Sequence, residues 1–151
     1  FGPCLAGVLG LIVLVFQAVF LAHGGITPLG ANVFSMGIAG PIVAYLIYKA
    51  GTRVGANTYA TVFVAAALAD LVTYVVTSVQ LALAFPGTTG FVGAFSAFAT
   101  IFAVTQIPLA IIEGAVIALV FKYIVQLKPE ILTRLNLLSE STVQKLREAS
   151  A

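Results

Sequence analysis

The sequence predicts an all-α membrane protein, a polytopic bundle of transmembrane helices. Of the 151 residues, 61% are hydrophobic and only 8% are charged, whereas soluble domains carry roughly 25% charged residues. The mean hydropathy is +1.14, and several apolar runs reach the roughly 20 residues that span the hydrocarbon core of a bilayer. These observations exclude an ordinary soluble globule. A net charge of only +2, with scattered basic residues, also excludes a nucleic-acid-binding surface.

Four spans are predicted, at residues 5–21, 33–48, 59–85 and 91–125. The last apolar region is too long for one straight crossing, because at 1.5 Å per residue it extends on the order of 50 Å. Pro108 lies near its middle and removes one helical hydrogen bond. The region is therefore either one long kinked helix or two short spans.

The distribution of basic residues favours a single kinked span. The basic residues at or beside the connections are Lys49, Arg53, Lys122, Lys128 and Arg134. The connections 22–32 and 86–90 contain no Lys or Arg. Cytoplasmic connections hold the excess of basic residues, and only a single last span puts all of these residues on one side. We therefore expect a multi-pass protein of the cytoplasmic membrane, with the 22–32 connection outside and the C-terminus inside.

Residues 129–151 are predicted to form an amphipathic tail, separate from a membrane domain at 1–128. Pro129 suits the first turn of a helix. The apolar residues that share one face of this helix are Ile131, Leu132, Leu135 and Leu138. Ser141 and Gln144 resemble a capping box that opens a second short helix. The tail either lies on the cytoplasmic membrane surface or docks on a partner subunit.

A glycine-rich segment between the first two spans, residues 21–41 (LAHGGITPLGANVFSMGIAGP), carries the only histidine. His23 lies at the outer end of the first span, where Gly24 and Gly25 free the backbone to fold back. Imidazole is the commonest transition-metal ligand in proteins, but one histidine does not complete a metal site. The alternative is a histidine at the membrane interface that bonds to a backbone carbonyl.

Asn32 and Ser35 follow on the predicted second span and share one face. Asn32 lies at or near the N-terminus of this span, where asparagine caps unpaired backbone donors well. In one interpretation Asn32 is only the cap and Ser35 bonds back to the helix. In the other, the two side chains line an outward-facing pocket.

Asp70 and Glu113 lie inside the third and fourth predicted spans. An isolated charge in a membrane costs several kcal/mol, so such residues are functional candidates. No Lys or Arg occupies the middle of a span, so the acids are either protonated and hydrogen-bonded or paired with a cation from another subunit. Three roles stay open: a proton or cation relay, structural pairing, and contact with a partner.

Small residues recur at helical spacing, and they let helices approach closely in lipid. The three sets are Gly2, Ala6 and Gly10; Ala65 and Ala69; and Ala110, Gly114 and Ala118. Each set serves either packing inside the bundle or contact with a partner. The sequence contains no phosphate-binding loop, no Gly-x-Ser-x-Gly elbow and no His-Glu-x-x-His motif, and therefore does not indicate an enzyme.

The 21–41 segment resembles the signature region of the CbiM/NikM family. Its members are substrate-binding membrane subunits, or S components, of energy-coupling-factor ABC transporters for cobalt and nickel. A second match is residues 106–114 (QIPLAIIEG). The opening residues 1–3 (FGP) resemble the segment before the family's third span. The resemblance therefore covers nearly the whole chain and implies that the natural N-terminus is missing.

The resemblance implies capture of Co²⁺ or Ni²⁺ from outside as transported substrate, for cobalamin biosynthesis and without an organic cofactor. It also implies three partners: a CbiQ-like coupling subunit, a pair of CbiO-like ATPases that hydrolyse ATP, and a small CbiN-like membrane protein. The family's chief ligands, an amino-terminal Met-His and a histidine ahead of the third span, lie outside this chain.

The resemblance places His23, Asn32 and Ser35 in the lining of the substrate site rather than among the metal ligands. It makes the two intramembrane acids and the small-residue face of the last span contacts with the coupling subunit; the residues are Asp70, Glu113, Ala110, Gly114 and Ala118. Two other classes remain. One is a self-contained secondary transporter or channel with Asp70 and Glu113 as coupling carboxylates, and the other is a purely structural membrane subunit.

Overall fold

The structure is a computed structural model that describes residues 2–21 and 24–148. Its long helices are α1 (Pro3–Phe20), α2 (Leu29–Arg53), α3 (Thr58–Ala84) and α4 (Gly90–Leu127). Two short helices follow, α5 (Pro129–Arg134) and α6 (Glu140–Glu148). No strand occurs in these two ranges, and each of the four long helices is long and apolar enough to cross a membrane. The predicted all-α polytopic bundle is confirmed.

Helix α4 runs without a break through Pro108 over 38 residues. At 1.5 Å per residue this corresponds to about 57 Å, well beyond the roughly 30 Å hydrocarbon core. The prediction of one long last helix, rather than two short spans, is therefore confirmed.

Helix α2 begins four residues earlier than predicted, and this corrects the role of Asn32. Pro28 occupies the position before the helix, and the backbone N–H of Asn32 donates to the Pro28 carbonyl at 2.9 Å. Asn32 therefore lies within the first helical turn rather than at the cap. The wide π-helical turns of residues Val33–Ala39 follow directly. Such segments are rare and often lie at functional sites.

Glycines bring α1 and the π-helical segment into backbone contact. A Cβ atom at Gly7 would lie 3.0 Å from the carbonyl oxygen of Gly37, and one at Gly10 would lie 3.2 Å from the Gly37 Cα. Either methyl group would push the two helices apart. Close approach through small residues is a common way for helices to associate in lipid, and here it serves the interior of the chain.

The C-terminal tail packs on one end of the bundle. Leu132, Leu138 and Val143 of the tail form a buried cluster with Val125 of α4. The Tyr48 hydroxyl of α2 donates to the Leu137 carbonyl at 3.1 Å. Two of the four predicted face residues therefore pack within the chain rather than on lipid or a partner, because the tail folds back after Lys128. The other two, Ile131 and Leu135, remain 43% and 40% exposed.

The second tail helix exists as predicted but begins earlier than the proposed capping box. Helix α6 starts at Glu140. The backbone N–H of Thr142 donates to the Ser139 hydroxyl at 3.3 Å, so Ser139, rather than Ser141, provides the side-chain cap. Serine is among the preferred residues at this position.

Candidate functional site

The first turn of α2 meets the loop that follows α1, and this junction is the candidate site. Gly24 and Gly25 have φ angles of 78° and 71°, a left-handed conformation that glycine adopts without strain. A Cβ atom at Gly24 would lie 2.6 Å from Asn32 Nδ2. The loop backbone thus passes directly beside the half-buried Asn32 carboxamide. His23 lies outside the described residues, next in sequence to this contact.

Ser35 faces the protein interior rather than a pocket. Its side chain is fully buried, and its hydroxyl donates to the carbonyl oxygens of Ala31 at 3.1 Å and Asn32 at 3.3 Å. The structure therefore shows the alternative in which Ser35 bonds back to its own helix. The lining role of Ser35 stays a prediction, since the described residues show only that its hydroxyl is buried and bonded to its own helix.

Two side chains of α3 hold the π-helical region of α2. Gln80 Nε2 donates to the Ala31 carbonyl at 3.2 Å. The Thr73 hydroxyl shares its hydrogen between the Ala69 carbonyl of its own helix at 3.0 Å and the Ser35 carbonyl at 3.3 Å. A carbonyl has two lone pairs, so it can accept a bond from a side chain in addition to a helical bond. These contacts join α3 to the turn that carries Asn32.

Sequence reasoning missed the roles of Gln80 and Thr73. The signal was present, since a carboxamide within an apolar span is as conspicuous as the acids and normally finds a polar partner. Sequence alone did not indicate that this partner is the backbone of α2, because the contact depends on how the two helices pack.

Asp70 and Glu113 line one cavity of about 1030 Å³ between the long helices. This cavity lies toward the tail end of the bundle, since its lining includes residues 135–137 and the start of α1. Asp70 is half-buried, and its Oδ2 atom is buried without a hydrogen-bond partner. Glu113 is exposed. The structure thus places the two acids in one cavity. Thr73, one turn after Asp70 on α3, lines the same cavity and donates to the Ser35 carbonyl, so the cavity extends to the π-helical segment that follows Asn32.

The small-residue face of α4 is used mainly inside the chain. Ala110 is only 1% exposed. A Cβ atom at Gly114 would lie 2.9 Å from the Phe63 carbonyl oxygen of α3. These two residues therefore form the close contact between α3 and α4, and their contact with a partner stays a prediction. Ala118 remains half-buried.

No group of three or more His, Cys, Asp or Glu side chains converges within residues 2–21 and 24–148. Two polar features of the described residues coincide with the predicted site residues: the carboxamide junction at the first turn of α2 and the cavity with the two acids. Both belong to a multi-pass α-helical membrane protein with polar groups placed between its spans, an arrangement typical of transport proteins.

Residues 1–131 match the family described as CbiM, cobalt uptake substrate-specific transmembrane region. The chain belongs to this family. It is 59% identical over 152 residues to the putative cobalt transport protein CbiM 2 of Methanosarcina barkeri, covering 97% of this chain and 65% of that relative. It is 58% identical over 124 residues to the cobalt transport protein CbiM of Carboxydothermus hydrogenoformans, covering 82% and 50%.

A solved structure described as a truncated transition metal transporter shares the fold. Its TM-score is 0.67 at 25% sequence identity, and the match covers 81% of this chain and 61% of that chain. The chain spans about two thirds of the length of the Methanosarcina relative.

Proposed function

We propose that this chain is part of the substrate-capture subunit of an energy-coupling-factor transporter that imports Co²⁺ for cobalamin biosynthesis. The observation that carries the proposal is the match of residues 1–131 to the cobalt uptake family. The contact between Gly24 and Asn32 supports it, since it puts a carboxamide beside the loop that contains His23. Ni²⁺ is a further substrate candidate, because nitrogen ligands suit both ions.

In this proposal the metal arrives at the Asn32 junction from outside the cell. The basic residues support this orientation, because they lie beside the α2–α3 connection and in or after the last turns of α4, at the opposite end of the bundle from the first turn of α2; they are Lys49, Arg53, Lys122, Lys128 and Arg134. Excess positive charge marks the cytoplasmic side. The tail then lies in the cytoplasm, and the membrane is the cytoplasmic membrane.

His23 and Asn32 line or support the metal site, while the chief ligands come from the part of the full-length protein that this chain does not include. Groups that orient the ligands affect metal affinity almost as strongly as the ligands themselves. A CbiQ-like subunit, CbiO-like ATPases and a CbiN-like protein complete the transporter. ATP hydrolysis takes place in the ATPases.

In this proposal the coupling subunit contacts the exposed carboxylate of Glu113 and the half-buried Ala118. Asp70 lines the same cavity as Glu113 and contributes to this contact. An acidic group exposed on an apolar helix is costly unless a polar partner meets it. The shared cavity supports a common role for the two acids.

The test is the Co²⁺ content of the full-length protein after desalting, measured by elemental analysis. We expect about one tightly held ion per chain, and a loss on the order of tenfold in affinity for His23→Ala and Asn32→Ala. The matched control is Asn57→Ala, which removes the carboxamide that caps α3 at the other end of the bundle and should leave the metal content unchanged. A wild-type protein without bound Co²⁺ would overturn the proposal.

A second candidate function is a self-contained secondary transporter, favoured by the placement of Asp70 and Glu113 in one cavity. This function requires Co²⁺ flux in vesicles that contain the full-length protein alone, driven by a proton gradient without ATP. Asp70→Asn and Glu113→Gln should then abolish that flux. Absence of any gradient-driven flux with the wild-type protein would eliminate this candidate.

A further inference from the structure

Gln80 connects the end of α3 to the first turn of α2, which carries the candidate site. Its Nε2 atom donates to the Ala31 carbonyl at 3.2 Å, across 49 residues of sequence. The same carbonyl accepts the Ser35 hydroxyl at 3.1 Å. Ala31 directly precedes Asn32, so its peptide carbonyl belongs to the same backbone unit as the Asn32 N–H. A bond at this carbonyl therefore restrains the backbone from which the Asn32 side chain extends.

The π-helical segment makes such a restraint necessary. The widened turns begin at Val33, directly after Asn32, and π-helical turns are less favourable than ordinary α-helical ones. Without contacts from other helices, this segment could relax to an ordinary α-helical conformation. That change would rotate the first turn of α2 relative to the remainder of the helix.

The restraint acts at both ends of the junction. Thr73 binds the Ser35 carbonyl within the π-helical segment, while Gln80 binds Ala31 just before it. On the other side, the Asn32 carboxamide lies against Gly24 of the loop. The chain of contacts thus runs from α3 through Gln80 and the Ala31–Asn32 peptide to the loop that follows α1.

From this geometry we propose that Gln80 is a positioning residue for metal capture. It sets the orientation of Asn32 and of the loop beside it, and touches neither the metal nor its ligands. The inference rests on the proposed function, because it assigns Gln80 to the same Co²⁺ site.

The test compares two variants of Gln80 in the full-length protein. Gln80→Met keeps the length of the side chain but removes its donor, and Gln80→Asn keeps a carboxamide but shortens its reach. The matched control is Thr77→Val, one turn earlier on α3, where the hydroxyl bonds only the Thr73 carbonyl of its own helix. If Gln80→Met does not fold, Gln80→Asn provides the test.

The first measurement needs no metal. Hydrogen–deuterium exchange in the peptide that covers residues 24–32 should rise in both Gln80 variants and stay at the wild-type level in Thr77→Val. Unchanged exchange in the Gln80 variants would overturn the positioning role, whatever the protein binds.

The second measurement is binding of Co²⁺, by competition with a chelator and by the visible absorption bands of the bound ion. We expect both Gln80 variants to lose on the order of tenfold in affinity, as for other groups that orient ligands, with shifted bands. Thr77→Val should match the wild type. Wild-type affinity and bands in the Gln80 variants would overturn the inference and leave the proposed function intact, whereas a wild-type protein that binds no Co²⁺ would overturn the proposed function itself.

Discussion

Individual glycines decide which parts of the backbone can touch. Gly24 and Gly55 both adopt left-handed backbone angles, with φ of 78° and 70°. Only Gly24 also has a close neighbour, because a Cβ atom there would lie 2.6 Å from Asn32 Nδ2, whereas nothing lies within 4 Å of one at Gly55. A comparison of substitutions at the two positions therefore distinguishes the effect of backbone strain from the effect of contact with the candidate site.

We predict that Gly24→Ala and Gly55→Ala lower stability to a similar degree, roughly 1–2 kcal/mol, through the left-handed conformation alone. Only Gly24→Ala should also reduce Co²⁺ content, because the new methyl group displaces the Asn32 carboxamide. Thermal unfolding and elemental analysis of the full-length protein provide the two readouts. Equal Co²⁺ content in the two variants would mean that the contact between the loop and Asn32 plays no part in metal binding.

A second pair of glycines tests the contact between α3 and α4. Gly114→Ala should destabilise the protein by about 1–3 kcal/mol, as overpacking does elsewhere, because the Phe63 carbonyl leaves no room for a Cβ atom. The control is Gly30→Ala, a helical position with nothing within 4 Å, where alanine should be neutral or stabilising. Thermal unfolding in detergent measures both, and equal effects would contradict the close contact seen here.

At the scale of helices, hydropathy was sufficient to locate the four spans because a bilayer demands long apolar runs. The start of α2 was harder to predict, since the helix begins directly after Pro28 while Asn32 looks like a cap from sequence. The π-helical segment gave no local sequence signal. It contacts two other helices: Gly37 of the segment lies against Gly7 and Gly10 of α1, and Gln80 of α3 bonds Ala31 just before the segment.

In the tail, too, nearby residues predict the helices, whereas burial depends on contacts with residues distant in sequence. Its two helices were predictable from the apolar spacing and from the polar residues near their starts. Which apolar residues are buried was not predictable, because the answer depends on how the chain turns after α4. Leu132 packs on Val125, while its neighbour Ile131 stays 43% exposed.

We therefore predict different effects for two leucine-sized residues of the tail. Leu132→Ala removes a side chain from the buried cluster and should cost about 2–5 kcal/mol of local stability, which releases the tail and speeds its cleavage by protease. Ile131→Ala should have a much smaller effect. Limited proteolysis of both variants in detergent is the measurement, and equal cleavage rates would mean that the cluster does not hold the tail.

At the scale of the whole molecule, the predicted site residues fall into two regions, which Thr73 connects because it lines the cavity and bonds Ser35. The Asn32 junction lies at one end of the bundle, and the cavity with Asp70 and Glu113 extends toward the tail. Sequence reasoning identified Asn32, Asp70 and Glu113 but missed Gln80 and Thr73. It did not predict the division of the small-residue face, because burial of Ala110 and Gly114 depends on the packing of α3.

We predict that Asp70→Asn and Glu113→Gln reduce copurification with the coupling subunit more than they reduce Co²⁺ binding. The reason is that the proposed function assigns the cavity with both acids to contact with the coupling subunit and the first turn of α2 to metal capture. Glu140→Gln, on the exposed start of α6, is the matched control and should change neither property. Pull-downs beside metal titrations test this, and the reverse order of effects would place the acids in the path of the substrate.

The most direct test of the account is Co²⁺ accumulation by vesicles that carry the full-length protein with and without its coupling and ATPase subunits. We expect accumulation only when all subunits and ATP are present, with bound but not translocated Co²⁺ when the capture subunit is alone. Accumulation by the lone protein without ATP would contradict the account.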